Sequence, residues 1–359
     1  MKITKDEFVK NITIAGLLLF LSLSLLDAAE KKYYLLTTHD PHIVKDLQKY
    51  TVLEKNTGRL VIVSKIKKVP DFINHYLRPI KLSEVKSYTP VFKTKMNPDP
   101  SVQMALKNIT PEDVKSIVTK LSSFERRSAG TEDNKKASEW IEAEFKTYGY
   151  QTESDCFRNN TCNIYAERKV EGKDYFLIEA HLDSVGRPGA GADDNASGVA
   201  GLLILAREMA KQNPDKSLIF FATNGEERGL LGAKHYVKKL KKSGKLSKIK
   251  FVLNMDMIGY NQNGKVDLET NREHEDQARW MSQLVNAYTG LTPNISIPAW
   301  GSDHMPFLKE GIETILTIEY WKTKTPCYHS SCDKPGHLNY QYAAEIIRLN
   351  LATILHKEF

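Results

Sequence analysis

His181-Leu182-Asp183-Ser184, followed ten residues on from His181 by Gly191-Ala192-Asp193-Asp194-Asn195-Ala196-Ser197-Gly198, is the stretch whose residue types could do chemistry. Tyr175 to Ala180 before it is short, apolar and free of Gly and Pro, as a strand buried on both faces should be. His181 then falls where that strand leaves its sheet. Imidazole and carboxylate at alternate strand positions project to the same side, so Asp183 either shares a metal with His181 or holds its ring from behind. The tetrapeptide alone also reads as a plain turn with two solvated polar residues. The endings downstream argue against that reading.

Strands are expected near Asn163 to Glu167, Tyr175 to Ala180, Ser217 to Ala222, Phe251 to Met255 and Thr314 to Glu319, with helices between most of them. This alternation predicts an α/β fold of three layers, α-β-α, with a central, mostly parallel sheet covered on both faces. Ligands bind beyond the carboxyl ends of strands in such sheets. Read together, those ends carry His181 and Asp183, then Asp193 and Asp194 before a helix from Ala196 to Lys211. Glu226 and Glu227 follow in Thr223-Asn224-Gly225-Glu226-Glu227, then Asp256, and finally His329 and Asp333 in a Cys-Tyr-His-Ser-Ser-Cys-Asp loop. Each is weak alone. Together they gather several carboxylates at one edge, where they repel unless something positive sits among them. A pair of divalent metals fits, and mixed imidazole and carboxylate ligands favour zinc, with manganese or cobalt next and calcium disfavoured.

Other elements must hold that edge in place. Thr110 as N-cap, Pro111 at the first helical position and Val114, Ile117, Val118 and Leu121 at helical spacing predict one packing helix. Asn134 to Tyr148 predicts a second, burying Ala137, Trp140, Ile141 and Phe145 and stopping at Gly149. Upstream, strands at Tyr33 to Thr38 and Arg59 to Ile66 with short helices at His42 to Tyr50 and Pro70 to Leu77 suggest a small α/β unit. The aperiodic stretch with Pro90, Pro98 and Pro100 reads as a linker. The expected divisions are an export signal over 1–29, a small domain over 30–85, a linker over 86–102 and a catalytic domain over 103–359. The small domain's position suggests a propeptide that assists folding or covers the site, with a permanent accessory domain as the other reading.

The chain has 359 residues and a formal net charge of +7, enough length for a large core and no sign of compositional disorder. The densest basic cluster, Lys238 to Lys250, follows a helical pattern without interleaved aromatics, so a solvated helix end is expected rather than a nucleic-acid surface. Lys2, Lys5 and Lys10, an apolar block from Ile12 to Leu26 and then Ala28 and Ala29 read as an export signal. The block is shorter than the roughly 20 residues of a spanning helix, although an imperfect cleavage site keeps an uncleaved anchor as the alternative. In an exported chain, Cys156 with Cys162 and Cys327 with Cys332 suggest two local disulfides. Zinc-thiolate is disfavoured because neither pair has zinc-knuckle spacing. A secreted or periplasmic monomer with no stable membrane partner is the resulting expectation.

These motifs, with Asn254-Met255-Asp256-Met257, Ser302-Asp303-His304 and the helix containing Ala137-Ser138-Glu139-Trp140-Ile141, resemble the secreted di-zinc aminopeptidases of the bacterial leucyl aminopeptidase type, metallopeptidase family twenty-eight. The resemblance runs from about Asn108 to Phe359. It implies a zinc-exopeptidase fold in which Asp194 bridges two metals, His181 and Asp256 complete one site, and Glu227 and His329 the other. It implies Glu226 as general base, Asp183 orienting His181, Asp193 and His304 as structural, and peptide or protein N-termini as substrates, cleaved by a water activated between the metals. Met257, Trp300, Trp321 and Tyr328 are expected to line the side-chain pocket, and Glu319 is a further candidate for selecting a basic N-terminal residue. The cysteine bracket around His329 and the small N-terminal domain lie outside the family pattern.

Three rivals share this reading's fold or core. Glutaminyl cyclase works with one zinc, and the Gly-Ala-Asp-Asp-Asn-Ala-Ser-Gly loop favours the two-metal hydrolase over it. A non-catalytic peptidase-like binding domain would carry degenerate ligands, whereas all five ligands and the base are present here. Carboxypeptidases of related core carry a large insertion for which His181 and Asp194 are too close.

Overall fold

The computed structural model describes residues 32–37, 51–56, 59–64, 77–80 and 96–358, apart from 159, 187, 189 and 190. The expected export signal, the helix at His42 to Tyr50 and most of that at Pro70 to Leu77 lie outside the described residues. The chain divides into two compact units, Met1–Lys93 and Thr94–Phe359. In the first, β1 (Lys32–Thr37), β2 (Thr51–Asn56), β3 (Arg59–Ser64) and β4 (Leu77–Ile80) form an antiparallel sheet in the order β2-β3-β1-β4. Leu77, expected to end a helix, begins a strand instead.

The second unit opens with α1 (Pro100–Leu106), which takes the last residues of the expected linker into a helix: Asp99 caps it by accepting from the Ser101 N–H, and Val102, Ala105 and Leu106 are buried. α2 (Pro111–Ser122) starts as expected, with the Thr110 hydroxyl accepting from the Asp113 N–H at 3.1 Å. α3 (Glu132–Thr147) is capped by Thr131 and ends just before Gly149, whose φ of 87° suits a residue without Cβ.

Eight strands follow: β5 (Gln151–Arg158), β6 (Thr161–Arg168), β7 (Tyr175–His181), β8 (Ser217–Thr223), β9 (Ile249–Met255), β10 (Lys265–Glu269), β11 (Thr292–Ser296) and β12 (Glu313–Glu319). Their order is β11-β10-β12-β9-β7-β8-β6-β5, with the central β12-β9-β7-β8 parallel and the flanks mixed. Three of these strands were not foreseen, for a physical reason. β5 is a largely exposed edge strand of polar residues, β10 is short and half charged, and β11 carries Pro293, so none shows the apolar run that marks a buried strand.

The remaining helices are α4 (Gly198–Ala210), α5 (Leu231–Lys242), α6 (Glu275–Tyr288), α7 (His304–Leu308) and α8 (Tyr340–His356). Alternation along β7 builds the three layers. Phe176, Ile178 and Ala180 join the core beneath α2, α3, α4, α6 and α8, while Leu177 joins the core beneath α5 and Phe307 of α7. Both faces of the central strands are thereby dry, and truncating a fully buried side chain such as Leu177 to Ala would cost about 2–5 kcal/mol. The basic run on and after α5 is met by carboxylates: Lys239 by Glu153 at 2.7 Å, Lys241 by Glu310 at 2.9 Å, and Lys248 by Asp174 at 3.3 Å.

Candidate metal centre and active site

The carboxyl ends of the central strands bring the expected polar residues together. His181 closes β7 and is 1% exposed. Its Nδ1 lies 3.1 Å from the Asp183 carbonyl oxygen, so the Nδ1–H tautomer donates there and leaves Nε2 as an available ligand atom. That Nε2 lies 3.3 Å from Asp194 Oδ1 and 3.3 Å from Asp256 Oδ1. On the other side, His329 Nε2 lies 3.2 Å from Asp194 Oδ2 and 3.0 Å from Glu227 Oε2. Asp194 thus shows one oxygen to each imidazole. The ligand atoms form two groups, His181-Asp194-Asp256 and Asp194-Glu227-His329, each within 4.8 Å and sharing Asp194. Asp193, Asp183 and His304 belong to neither.

The donor set fits divalent cations. Glu227 Oε1 is buried with no hydrogen-bond donor satisfying it, an arrangement that is costly unless positive charge is supplied. Electrostatics agree. Burial alone would lower the His181 pKa, yet Asp256, Asp183 and Asp194 hold it well above its usual value. Hydrogen bonds to Asp194 and Glu227 push His329 up to about 10, while burial raises Glu227 to about 7. Carboxylates that hold protons on two imidazoles this strongly would also hold metal ions.

The loop carrying Asp194 is fixed from several directions. The Asp333 carboxylate accepts from the backbone N–H of Gly191, Asp193 and Asp194 at 3.1, 2.8 and 3.0 Å. Regular helix begins only at Gly198, two residues later than expected, because Ala192–Ser197 forms a wider turn with non-helical backbone at Asp194 and Asn195. The Asn195 carboxamide ties this turn to the neighbouring strand end: its Nδ2 donates to the Met255 carbonyl, and its Oδ1 accepts from the N–H of Gly198 and of Met257. A Cβ at Gly198 would lie 2.3 Å from Asn195 Oδ1 and 2.5 Å from the Met255 carbonyl, so glycine is required by the close approach. Asp193 accepts from the Gly259 N–H at 2.8 Å, a structural contact.

Glu226 and Glu227 sit in a short turn after β8. The Asp183 carboxylate accepts from their N–H groups at 3.1 and 3.4 Å, while its nearest oxygen is 3.7 Å from His181 Nδ1. Asp183 therefore backs the imidazole mainly through its main chain and uses its side chain to aim the glutamate turn, a role that strand geometry alone did not suggest. Burial raises the Glu226 pKa well above the carboxylate range, opposed by His181. Ser302 donates to Asp256 Oδ2 at 2.7 Å and fixes that carboxylate's rotation.

Arg127 escaped the sequence reading. It is 1% exposed and donates to the carbonyls of Leu182, Leu121 and Gly191, stitching both metal-side loops to α2. Burial lowers its pKa to about 10 against the pull of Asp333, Asp183, Asp194 and Glu227, so it remains a cation beneath the carboxylates. A lone Arg outside every motif offers no sequence signal of this kind.

One cavity opens beside both cation groups. Met257, Trp300, Trp321 and Tyr328, the expected pocket residues, all line it, together with Asp194, Glu226, Asp256 and His329. Trp300 packs edge-on against Trp321, Trp321 against Tyr328, and the Tyr328 ring stacks on His329 at 3.8 Å. Glu319 does not face the cavity. It is 1% exposed, accepts from the N–H of Tyr260 and Thr325, and is raised to about 11 by burial and by neighbouring Asp193, so it stays protonated. The expectation that Glu319 reads the substrate is corrected accordingly. His304 is fully buried, 3.3 Å from Glu269. Both expected disulfides are present: Cys156–Cys162 joins directly paired residues of β5 and β6, and Cys327–Cys332 brackets His329.

Comparison with known proteins agrees with this geometry. Aminopeptidase YwaD of Bacillus subtilis is 29% identical over 238 residues, covering 63% of this chain and 50% of that protein. Leupeptin-inactivating enzyme 1 of Streptomyces exfoliatus is 30% identical over 266 residues, covering 64% of this chain and 59% of its own. The chain therefore spans only about half to three fifths of these relatives. The structure of the Legionella pneumophila LapA aminopeptidase superposes with a TM-score of 0.66 at 20% identity, covering 92% of this chain and 99% of that one, which establishes the shared fold. The description "Peptidase family M28" matches residues 163–354, more than half of the chain. The chain belongs to peptidase family M28.

Proposed function

We propose that this protein is a two-metal aminopeptidase that hydrolyses the first peptide bond of peptides and proteins. The observation that carries the reading is Asp194, whose two oxygens face separate imidazoles and join two ligand groups. His181, Asp194 and Asp256 would hold one ion and Asp194, Glu227 and His329 the other, with zinc favoured by the donor set. Bound there, the ions supply Lewis-acid charge that lowers the pKa of water and polarises the scissile carbonyl.

The protein's own groups do the rest. Glu226 lines the cavity and belongs to neither cation group, which leaves its carboxylate to accept a proton from water and pass it to the leaving amine. Asp183 aims Glu226 through the turn's N–H groups. The side-chain walls at Met257, Trp321 and Tyr328 accommodate one residue ahead of the scissile bond, while carboxylates around the site attract its free α-amino group. Two ligand groups in place of one support this reading over glutaminyl cyclase, and complete ligands support it over a non-catalytic binding domain.

Residues 1–29 are assigned as an export signal and 30–85 as a propeptide-like domain, giving a secreted or periplasmic monomer with peptide N-termini as partners. Two disulfides support an oxidising compartment. Among the described residues no helix is long and apolar enough to cross a membrane.

The test is Glu226→Gln. Metal content should be retained while hydrolysis of an aminoacyl-anilide falls roughly 10²- to 10⁴-fold. Undiminished activity would remove the base, and one bound ion with cyclisation of N-terminal glutamine would replace the function with that of the cyclase.

A further inference from the structure

One carboxylate in the cavity has no part in the proposed hydrolysis. Glu269, the last residue of β10, lines the same cavity as Met257, Leu316, Ile318, Trp321 and Tyr328 and belongs to neither cation group. It is 4% exposed. Its Oε1 accepts from the Trp300 N–H at 2.9 Å and lies 3.3 Å from His304 Nε2, and its Oε2 accepts from the Ser296 hydroxyl at 3.4 Å. A carboxylate offers about four acceptor positions, so these contacts leave room for another donor. No Lys or Arg lines the cavity among the described residues. The cavity thus combines aliphatic and aromatic walls with a desolvated acid.

We propose that Glu269 selects a positively charged side chain, Lys or Arg, on the N-terminal residue of the substrate. This rests on the aminopeptidase reading and names its substrate class. The methylene stem of such a residue packs on Met257, Leu316 and Ile318 and against the rings of Trp321 and Tyr328, which also carry the Lys324 ammonium at 4.4 and 5.8 Å from their centroids. Its terminal ammonium or guanidinium then donates to Glu269 as a charge-assisted hydrogen bond. A leucyl or phenylalanyl side chain fills the walls but leaves Glu269 desolvated without a new partner, which disfavours it. Glu319, the acid first expected in this role, is occupied by Tyr260, Thr325 and Asp193 and cannot compete.

The experiment compares lysyl and norleucyl anilides on the metal-loaded full chain, since norleucine keeps the lysine stem without its ammonium. The expected kcat/KM ratio is roughly 10- to 100-fold in favour of lysine, the range for a hydrogen bond to a charged group. Glu269→Gln keeps an acceptor for the Trp300 N–H and should bring that ratio close to one, while Glu269→Asp should keep part of it. A role limited to holding the Trp300 loop would lower both substrates together, and an unchanged ratio overturns the proposal. Calorimetry of lysinamide against norleucinamide on Glu226→Gln separates the two claims. A lysine preference there supports Glu269 even if the assigned base proves wrong, and equal affinities overturn the selection whatever the fate of Glu226.

Discussion

His181 sits at the end of a central parallel strand with 1% of its side chain exposed, whereas His329 rides on a disulfide-bracketed loop and is 43% exposed. Both reach the same carboxylate, Asp194, at nearly equal distances. The first half is held by the sheet: β7 and β9 place His181 and Asp256, and Ser302 fixes the Asp256 carboxylate. The second is held by local devices. His329 itself adopts a left-handed backbone with φ of 53°, its ring stacks on Tyr328, and Cys327–Cys332 closes the loop around it. A rigid half paired with a loop-borne half suggests one cation held tightly and one exchanging more readily, since preorganised ligands lose less entropy on binding.

The largest expected effect comes from removing what the halves share. Asp194→Ala should strip both ions and lower the proposed aminoacyl-anilide hydrolysis by about 10³-fold or more, corresponding to several kcal/mol of lost transition-state stabilisation. Activity within a few fold of the parent would show that Asp194 does not bridge.

Replacing the imidazoles one at a time separates the halves. In metal-stripped protein, His181→Ala leaves the buried Asp183, Asp194 and Asp256 without their cationic neighbour and should cost about 3–5 kcal/mol in denaturant unfolding. His329→Ala should cost about 0–1 kcal/mol, because its partly exposed pair is screened by solvent. Equal losses would contradict the division into a sheet-held and a loop-held half.

The smallest effect tests the bracket. Cys327→Ala with Cys332→Ala should weaken binding of the more labile cation by about 10-fold, the lower range for loss of a supporting contact, and leave the tighter one unchanged. Weakening of both to the same degree would place the disulfide's influence on the whole site.

The two halves also differ in how plainly they could be read from the sequence. His181, Asp194, Glu227 and Asp256 were legible because each ends or follows a strand or a glycine-containing turn, whereas His329 lies in a glycine-free loop beyond β12 and its place as a ligand rested on the family resemblance. The central strands were legible for the same reason, being continuous apolar runs. What supports the ligands was harder to see. Arg127 acts through three main-chain carbonyls from separate segments, and Asp183 proved to steer the glutamate turn by its side chain, contacts that only the folded chain brings together. The sequence reading put Glu319 forward for the pocket and did not consider Glu269. β10 runs antiparallel to β12, so Glu269 lies opposite Leu316 while Glu319 lies opposite Val266, and only Glu269 lies on the cavity wall. β10 itself was unforeseen, so its terminal acid had no place in the expected site.

The most direct test of the account is the metal content of purified full-length protein after dialysis against a weak chelator, measured alongside His329→Ala. Two zinc-like ions per chain in the parent and one in the variant are predicted, with the remaining ion held by His181, Asp194 and Asp256. A single ion in the parent, or the same content in both proteins, would contradict a two-cation site bridged by Asp194.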